Sequence, residues 1–201
     1  MAERLPDRIE TERLVLRQWT EDDVPGLNAA VLASLDHLGP WTPWIAGEPE
    51  TVERRSERVV RWREDWASGG DSVLGVFLDG VPIGGTGMYR RLGDRGIEIG
   101  YWIHADHVRR GYATELSKAL TDAAFAIDGI ERVEVHHDKA NIASGRVPER
   151  LGFTLAEEKP RDPQAPGEMG IERIWVMTRE RWVGFGRDRD RAGDWRPATG
   201  D

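Results

Sequence analysis

Residues 96–113 read GIEIGYWIHADHVRRGYA, and this stretch decides the fold. Its first half is a strand that alternates between two faces, with apolar residues at 97, 99, 101 and 103 and with Glu98, Gly100 and Trp102 opposite. A basic turn, residues 108–111, then leads into a helix. Amides and the dipole at a helix start favour an anion, Gly111 permits close approach, and Arg109 and Arg110 add positive charge. The stretch therefore predicts a pyrophosphate site.

The basic turn taken alone fits a second interpretation equally well, namely an arginine-rich turn that only caps a helix. It lacks the Gly-Lys-Ser/Thr ending of a P-loop and the three spaced glycines of the dinucleotide fingerprint. The choice between a phosphate site and a plain cap therefore depends on the surrounding sequence.

Strand and helix patterns continue on both sides. Downstream, apolar residues spaced three and four apart from Ala113 to Ile127 predict a buried helix face, and residues 132–137 predict a short strand. Asn141 and Gly152 mark the start and end of a further helix, and strands are expected near residues 154–158 and 171–178.

Upstream, residues 11–17 alternate as a first strand, and three helices are expected to end near residues 32, 38 and 67. Residues 40–44 are predicted to be an extended aromatic segment, and a hairpin turns at Asp79-Gly80. The element order predicts an α+β domain, residues 1–186, around one mostly antiparallel sheet. Residues 187–201 are charged and lack periodicity, so we expect a poorly ordered tail.

Composition excludes several classes of protein. The 201 residues include no cysteine, which excludes a thioester enzyme intermediate and thiolate metal sites, and the histidines and carboxylates show no metal-ligand spacing. No apolar run is long enough to span a membrane, and the first ten residues predict no secretory signal, so a cytoplasmic location is expected. The net charge of −8 argues against nucleic-acid binding and suits a cationic substrate, although it can equally serve solubility alone.

Four blocks, in order, resemble the GNAT acetyltransferase superfamily and, within it, the RimJ/RimL-like branch. They are TERLVLR at residues 11–17, IEIGYWI at 97–103, GYATE at 111–115, and Asn141 and Ser144 followed by LGF at 151–153. The resemblance covers residues 11–178. It implies a central, mostly antiparallel mixed sheet with two splayed central strands and flanking helices, and an activity that transfers an acetyl group from acetyl-CoA to an amine.

The chain departs from the family pattern at two positions. Arg109 stands where the family usually has a glycine, which stiffens the turn but adds a phosphate partner. Pro148 stands inside the helix after Asn141, where it removes one backbone hydrogen bond and can kink the helix. Neither departure is expected to abolish binding of acetyl-CoA.

The resemblance also implies where acetyl-CoA binds. The pantetheine arm would lie between Gly96–Ile103 and the strand at residues 132–137, held by backbone groups near Trp102 and Ile103 and by Asn141. The pyrophosphate would lie on the turn and first helical residues, namely Arg109, Arg110, Gly111, Tyr112, Ala113 and Thr114. No metal is implied.

For catalysis, Ser144 matches the family position that protonates the CoA thiolate, with an ordinary serine in the first helical turn as the alternative. Glu98 is the candidate base, acting directly or through water, with a surface glutamate paired to an arginine as the alternative. His136 and His137 rank below Glu98 as proton relays. Trp41 and Trp44 are expected to line the acceptor pocket, where aromatic rings can hold an ammonium group, while Trp62 and Trp66 fit core packing better.

Three functions stay open at this stage. The acceptor is a protein N-terminal α-amine, as in RimJ/RimL enzymes, or a small amine such as an antibiotic, a polyamine or an amino-acid derivative. Alternatively, the protein senses acyl-CoA without turning it over. Because RimJ/RimL-like proteins are often dimers, the resemblance also suggests a homodimer; neither nucleic acid nor membrane is expected as a partner.

Overall fold

The computed structural model describes the backbone of residues 4–192 and the side chains of residues 4–185. Within this part, eight strands form one open mixed sheet: β1 (Arg8–Glu10), β2 (Val15–Gln18), β3 (Ser72–Leu78), β4 (Val81–Tyr89), β5 (Gly96–Ile103), β6 (Arg132–Asp138), β7 (Thr154–Pro160) and β8 (Ile171–Thr178). Six α-helices flank it: α1 (Val24–Leu32), α2 (Leu35–Leu38), α3 (Val52–Ala67), α4 (Tyr112–Ala126), α5 (Ile142–Arg150) and α6 (Arg179–Ala192).

The strand order is β1-β2-β3-β4-β5-β6-β8-β7, and β5–β6 is the one parallel pair in the described chain. Its register contains three partners, which are Gly96–Arg132, Ile97–Val133 and Glu98–Glu134. Both strands continue beyond this point, β5 to Ile103 and β6 to Asp138, without pairing to each other. The sheet is therefore open between its two central strands, and the predicted mixed sheet with splayed central strands is confirmed.

The sheet separates two apolar cores. On one face, β5 contributes Ile97, Ile99 and Ile103, which pack with Leu116 and Leu120 of α4. On the other face, Val24, Leu27 and Val31 of α1 and Val59 of α3 pack with Trp19 and Phe77, and Trp102 borders this second core. The period-two alternation in β5 thus predicted correctly which side chains lie on each side of the sheet.

Two local predictions are wrong. The first strand was expected to begin at Thr11, but residues 11–14 form the turn between β1 and β2. The Leu14 N–H donates to the Thr11 hydroxyl and the Thr11 N–H donates to the Leu14 carbonyl, which closes the turn. The aromatic segment is not extended over residues 40–44, because residues 39–41 form a turn and only Thr42 has an extended backbone. Pro43 then occupies the first position of a 3₁₀ helix, Pro43–Gly47, that contains Trp44. Proline is well suited to that position, where no N–H is needed.

Helix α6 extends to Ala192 and so includes the first residues of the segment predicted as a tail; the rest of that segment, residues 193–201, lies outside the described residues. No helix in the described part of the chain has the length and apolar character needed to cross a membrane.

Candidate active site

A cleft of about 1250 Å³ passes through the sheet where β5 and β6 separate. It runs from the start of α4 and the side of α5 to the aromatic residues before α3. All of the predicted site residues line it except Arg110; the set comprises Trp41, Trp44, Glu98, Trp102, Ile103, Arg109, Gly111, Tyr112, Ala113, Thr114, Asn141 and Ser144. The separation of the two strands is thus what brings these distant segments together.

The basic turn has an unusual backbone. Gly111 is the N-cap of α4 with φ +81°, and Arg109 also has a left-handed φ of +59°. An L-residue in this conformation costs about 1–2 kcal/mol, whereas glycine adopts it freely. A glycine at position 109 would adopt this backbone conformation without strain, which gives a physical reason for the glycine that the family usually has there. Successive amides in such a turn form a concave site for an anion.

The turn between β1 and β2 contacts the basic turn through a buried carboxylate. Glu115, in the first turn of α4, accepts hydrogen bonds from the Thr11 hydroxyl at 2.5 Å, the Arg13 amide at 2.9 Å and the Arg13 Nε at 2.7 Å. Arg13 also donates to the carbonyl of Arg110 at 3.1 Å, and its guanidinium carbon lies 4.5 Å from the centre of the Tyr112 ring. We call these four residues, Thr11, Arg13, Arg110 and Glu115, the Glu115 cluster.

The Glu115 cluster shows that two sequence blocks about 100 residues apart form one unit. It also explains why Arg110 lies outside the cleft lining: its side chain is exposed, and its carbonyl is bound by Arg13. The role predicted for Arg110 therefore rests on its backbone amide rather than on its charge.

Asn141 and Ser144 lie at the start of α5, as the sequence predicted. The Oδ1 of Asn141 accepts a hydrogen bond from the Ser144 amide at 3.1 Å, so this oxygen serves as the helix cap. The group of Asn141 that remains to donate toward the cleft is its Nδ2 amide. Ser144 is half-buried at the cleft wall.

Glu98 combines the two interpretations that the sequence left open. Its side chain lines the cleft and is 18% exposed, and its Oε1 lies 3.4 Å from the Nη1 of Arg91. The guanidinium carbon of Arg91 in turn lies 4.1 Å from the centre of the Tyr89 ring. Glu98 is therefore a carboxylate paired with arginine that also faces the cleft.

The two neighbouring histidines have different environments. Both nitrogens of the buried His137 are bonded: Nδ1 lies 2.7 Å from the Asp138 carbonyl, and Nε2 accepts from the Trp175 indole at 2.9 Å. These partners require a neutral ring with its proton on Nδ1. Burial lowers the pKa of His137, opposed by its bond to Asp138. His137 is therefore a structural residue rather than a proton relay.

His136 faces the cleft and is bonded to a carboxylate, with its Nε2 2.7 Å from Oε2 of Glu134. Burial raises the pKa of Glu134, but hydrogen bonds from His136 and Arg132 outweigh it and hold the pKa below its ordinary value. Glu134 is thus a charged acceptor that orients the His136 ring.

Aromatic side chains form the other end of the cleft. Trp44 is 38% exposed and meets Trp102 edge-on, with 6.2 Å between the ring centroids, so the acceptor segment contacts β5 directly. Trp62 lines the cleft as well as packing against the second core. Trp66 lies elsewhere and donates its indole N–H to the Leu5 carbonyl at 2.7 Å. The core prediction therefore holds for Trp62, which packs against the second core, whereas Trp66 is not among the described residues of either core.

Tyr101 was missed as a site residue because alternation assigned it to the buried face. Its hydroxyl donates to the Ser144 carbonyl at 3.1 Å, across the opening between β5 and α5. A sequence signal for this contact existed in Pro148, which leaves that carbonyl without its helical donor. In the described residues, no group of three or more histidine or acidic side chains has an arrangement suited to a metal ion.

A model of the acetyltransferase (GNAT) domain matches residues 13–154. The chain therefore belongs to the GNAT acetyltransferase family, and the fold and the class of enzyme implied by the sequence resemblance are confirmed.

Among individual proteins, the chain is similar to the putative ribosomal N-acetyltransferase YdaF of Bacillus subtilis (strain 168), with 29% identity over 176 residues that cover 86% of this chain and 95% of YdaF. Its fold is similar to that of Mycobacterium smegmatis RimJ in complex with CoA-disulfide, with a TM-score of 0.79, 21% identity, and coverage of 94% and 95% of the two chains.

It is also similar to a solved RimL, a ribosomal L7/L12 alpha-N-protein acetyltransferase in complex with coenzyme A. The TM-score is 0.77 at 20% identity, and 89% of this chain and 99% of RimL are covered. The predicted resemblance to the RimJ/RimL branch is confirmed.

Proposed function

We propose that this protein transfers the acetyl group of acetyl-CoA to the α-amine at the N-terminus of a protein. The observation that carries the proposal is the single cleft that joins the anion-binding turn before α4 to the aromatic end near Trp44 through the opening in the sheet. Such a cleft lets a donor and an acceptor meet from opposite sides. The names of YdaF and RimL, which refer to ribosomal proteins, support a protein acceptor.

The opening in the sheet also fits the pantetheine arm chemically. Beyond Glu98, the backbone groups of β5 that point toward β6 have no strand partner there, although the opposite edge of β5 remains paired to β4 as far as Ile103. Backbone N–H and C=O groups need partners. The two amides of pantetheine can supply them, as an added strand would, while the amides of the basic turn take the pyrophosphate.

The chemistry requires two proton transfers. An N-terminal α-amine has a pKa of about 7.7–8.0, so a carboxylate such as Glu98 need only assist its deprotonation, directly or through water. The amine nitrogen then attacks the thioester carbonyl carbon, and the carbon–sulfur bond breaks. The Ser144 hydroxyl donates a proton to the leaving thiolate and regains one from solvent.

The charge that an acceptor meets differs from the charge of the whole chain. Arg58, Arg61 and Arg91 lie along the acceptor side of the cleft, with side chains 32%, 64% and 58% exposed. The acidic partners of Arg58 and Arg91, Glu50 and Glu98, are more deeply buried. This arrangement favours an acceptor with acidic residues after its terminal amine, rather than the cationic substrate suggested by the net charge.

The experiment is acetyl-CoA-dependent acetylation of a mixed panel of short peptides and small amines, read by mass spectrometry. Products on peptide N-termini support the proposal. Products on small amines alone overturn the protein acceptor, and acetyl-CoA binding without any product identifies an acyl-CoA sensor instead.

Two substitutions test the assigned residues. Glu98→Gln and Ser144→Ala should each lower kcat by about 10²-fold, the low end for a general acid or base, with acetyl-CoA affinity nearly unchanged. Glu53→Gln is the matched control, since that side chain is exposed on α3 and outside the cleft lining. Unchanged turnover in both test variants would remove the two residues from the mechanism.

A further inference from the structure

Helix α5 contains a proline that frees one carbonyl. Pro148 lies inside Ile142–Arg150, and proline has no N–H to donate to the carbonyl four residues earlier. That carbonyl belongs to Ser144, the residue assigned above to protonate the leaving thiolate. In an uninterrupted helix, the amide of residue 148 would hold it.

Tyr101 replaces the missing donor from another element. Its hydroxyl lies 3.1 Å from the Ser144 carbonyl oxygen. Tyr101 is on β5, three residues beyond Glu98, the last residue of β5 that pairs with β6. The hydrogen bond therefore crosses the open part of the sheet and joins one wall of the cleft to the other. Burial raises the pKa of Tyr101, so the phenol keeps the proton that it donates.

The amide of Ser144 is held as well. It donates to Oδ1 of Asn141 at 3.1 Å, so side chains from two different elements bind both peptide groups of this residue. In a residue fixed at its N–H and its C=O, the Cα–Cβ bond is held in one direction relative to the cleft. Packing of Gly145 against the His137 ring restricts the next residue too, because a Cβ at Gly145 would lie 2.9 Å from that ring.

We infer that Tyr101 is a positioning residue that holds Ser144 toward the thioester, and that Pro148 makes this possible by leaving the Ser144 carbonyl free. The inference rests on the proposed role of Ser144. It distinguishes Tyr101 from an ordinary core aromatic residue, because its effect must depend on the residue at position 148.

The experiment is a double-mutant cycle with wild type, Tyr101→Phe, Pro148→Ala and the double variant. Tyr101→Phe keeps the ring and removes only the hydroxyl. It should lower kcat about three- to tenfold, the range expected for one hydrogen bond, with the Kd of acetyl-CoA within about twofold of wild type. In the Pro148→Ala background, where an amide can bind the Ser144 carbonyl, the same change should lose most of its effect.

Two outcomes would overturn the inference. The first is an unchanged kcat in Tyr101→Phe. The second is an equal loss in both backgrounds, which is what a purely packing role predicts, since packing of the ring does not depend on residue 148. If Tyr101→Phe does not fold, the double variant is compared with Pro148→Ala. A double variant that folds and matches Pro148→Ala in kcat supports the inference. A double variant that also fails to fold indicates a packing role and overturns it.

A second readout separates this inference from the proposed function. Hydrogen exchange of residues 141–150, followed by mass spectrometry, should be faster in Tyr101→Phe than in wild type. It should be equally fast in the double variant and in Pro148→Ala. This measurement needs no turnover. If wild type acetylates no amine, the proposed function fails while exchange still decides whether the hydrogen bond holds α5. If wild type is active and Tyr101→Phe equals it in rate and exchange, only the inference fails.

Discussion

Replacing Arg13 with alanine should destabilise the protein and weaken its affinity for acetyl-CoA, although Arg13 lies outside the cleft lining. The side chain donates to Glu115 through Nε at 2.7 Å and has its Nη2 2.6 Å from the same carboxylate. Glu115 is 5% exposed and Arg13 27% exposed, so the substitution leaves a buried carboxylate short of charge compensation.

Removal of one partner of a buried ion pair costs about 3–5 kcal/mol, and the partial exposure of Arg13 places the expected loss near the lower limit, about 3 kcal/mol. That is a large fraction of the roughly 5–15 kcal/mol that stabilises a typical domain. For a chain of this size it corresponds to a fall in Tm of about 6–12 °C. Denaturant unfolding followed by circular dichroism measures the loss of free energy of unfolding, and calorimetry measures the fall in Tm.

The effect on acetyl-CoA follows from the bond between Arg13 and the Arg110 carbonyl, which lies between the two left-handed residues of the basic turn. Without it, the amides that face the pyrophosphate lose a fixed orientation, and we expect the Kd of acetyl-CoA to rise about tenfold, equivalent to one hydrogen bond to a charged group.

Arg8→Ala is the matched control. Arg8 pairs with Glu10 of the same strand, β1, at 2.7 Å, but both side chains are more than half exposed, at 51% and 66%. Exposed pairs contribute about 0–1 kcal/mol. Adding Glu115→Gln to Arg13→Ala should recover part of the stability by removing the buried charge. Equal losses for Arg13→Ala and Arg8→Ala, or a loss of stability with unchanged acetyl-CoA affinity, would refute the reasoning.

Three further predictions concern the basic turn, the buried histidine and the acceptor side. Arg109→Gly should raise the free energy of unfolding by up to about 1 kcal/mol, because glycine adopts the left-handed conformation without strain, whereas Arg109→Ala should not raise it. Both variants should bind acetyl-CoA more weakly because they lack the guanidinium. Calorimetry measures the stability and the binding separately. Burial lowers the pKa of His137 below its ordinary value of about 6.5, so the unfolded chain binds a proton at a higher pH than the folded protein does. The free energy of unfolding should therefore fall as the pH drops from about 7 to 5. Urea unfolding at several pH values should show a weaker pH dependence in His137→Gln. Arg61→Gln should reduce a preference for acidic over neutral peptides by about two- to threefold at low salt, and about 0.5 M NaCl should remove this difference. The control is Arg63→Gln, which should leave kcat/KM unchanged because Arg63 is exposed and lies outside the cleft lining.

Local pattern was sufficient for much of the architecture. The alternation in β5 assigned Ile97 and Ile99 to one core and Trp102 to the other side, and the spacing of Leu116 and Leu120 identified the buried face of α4. The cap of α3 is equally local, since the Thr51 side chain accepts a hydrogen bond from the Arg54 amide. These features depend on residues within one or two turns of each other, and the periods of 2.0 and 3.6 express them directly.

The candidate site was predictable in its members but not in its contacts. The resemblance of separate blocks identified Ser144 and the residues of the basic turn, yet gave no indication that Thr11 and Arg13 bind Glu115, or that Tyr101 reaches Ser144. Alternation also misplaced the start of the first strand, because a hydroxyl at Thr11 that closes a turn produces the same polar–apolar pattern as a strand.

The sequence by itself determined the fold class, the two faces of the central strand, the helix that follows the basic turn, and the family. Only the tertiary structure decided that β5 and β6 separate after Glu98, that Arg109 takes a left-handed backbone, and that Pro148 and Tyr101 act on one carbonyl. The physical reason is range. Periodicity reports which side of an element is buried, whereas these three features involve segments about 36 to 100 residues apart that contact each other and must satisfy one another's backbone groups.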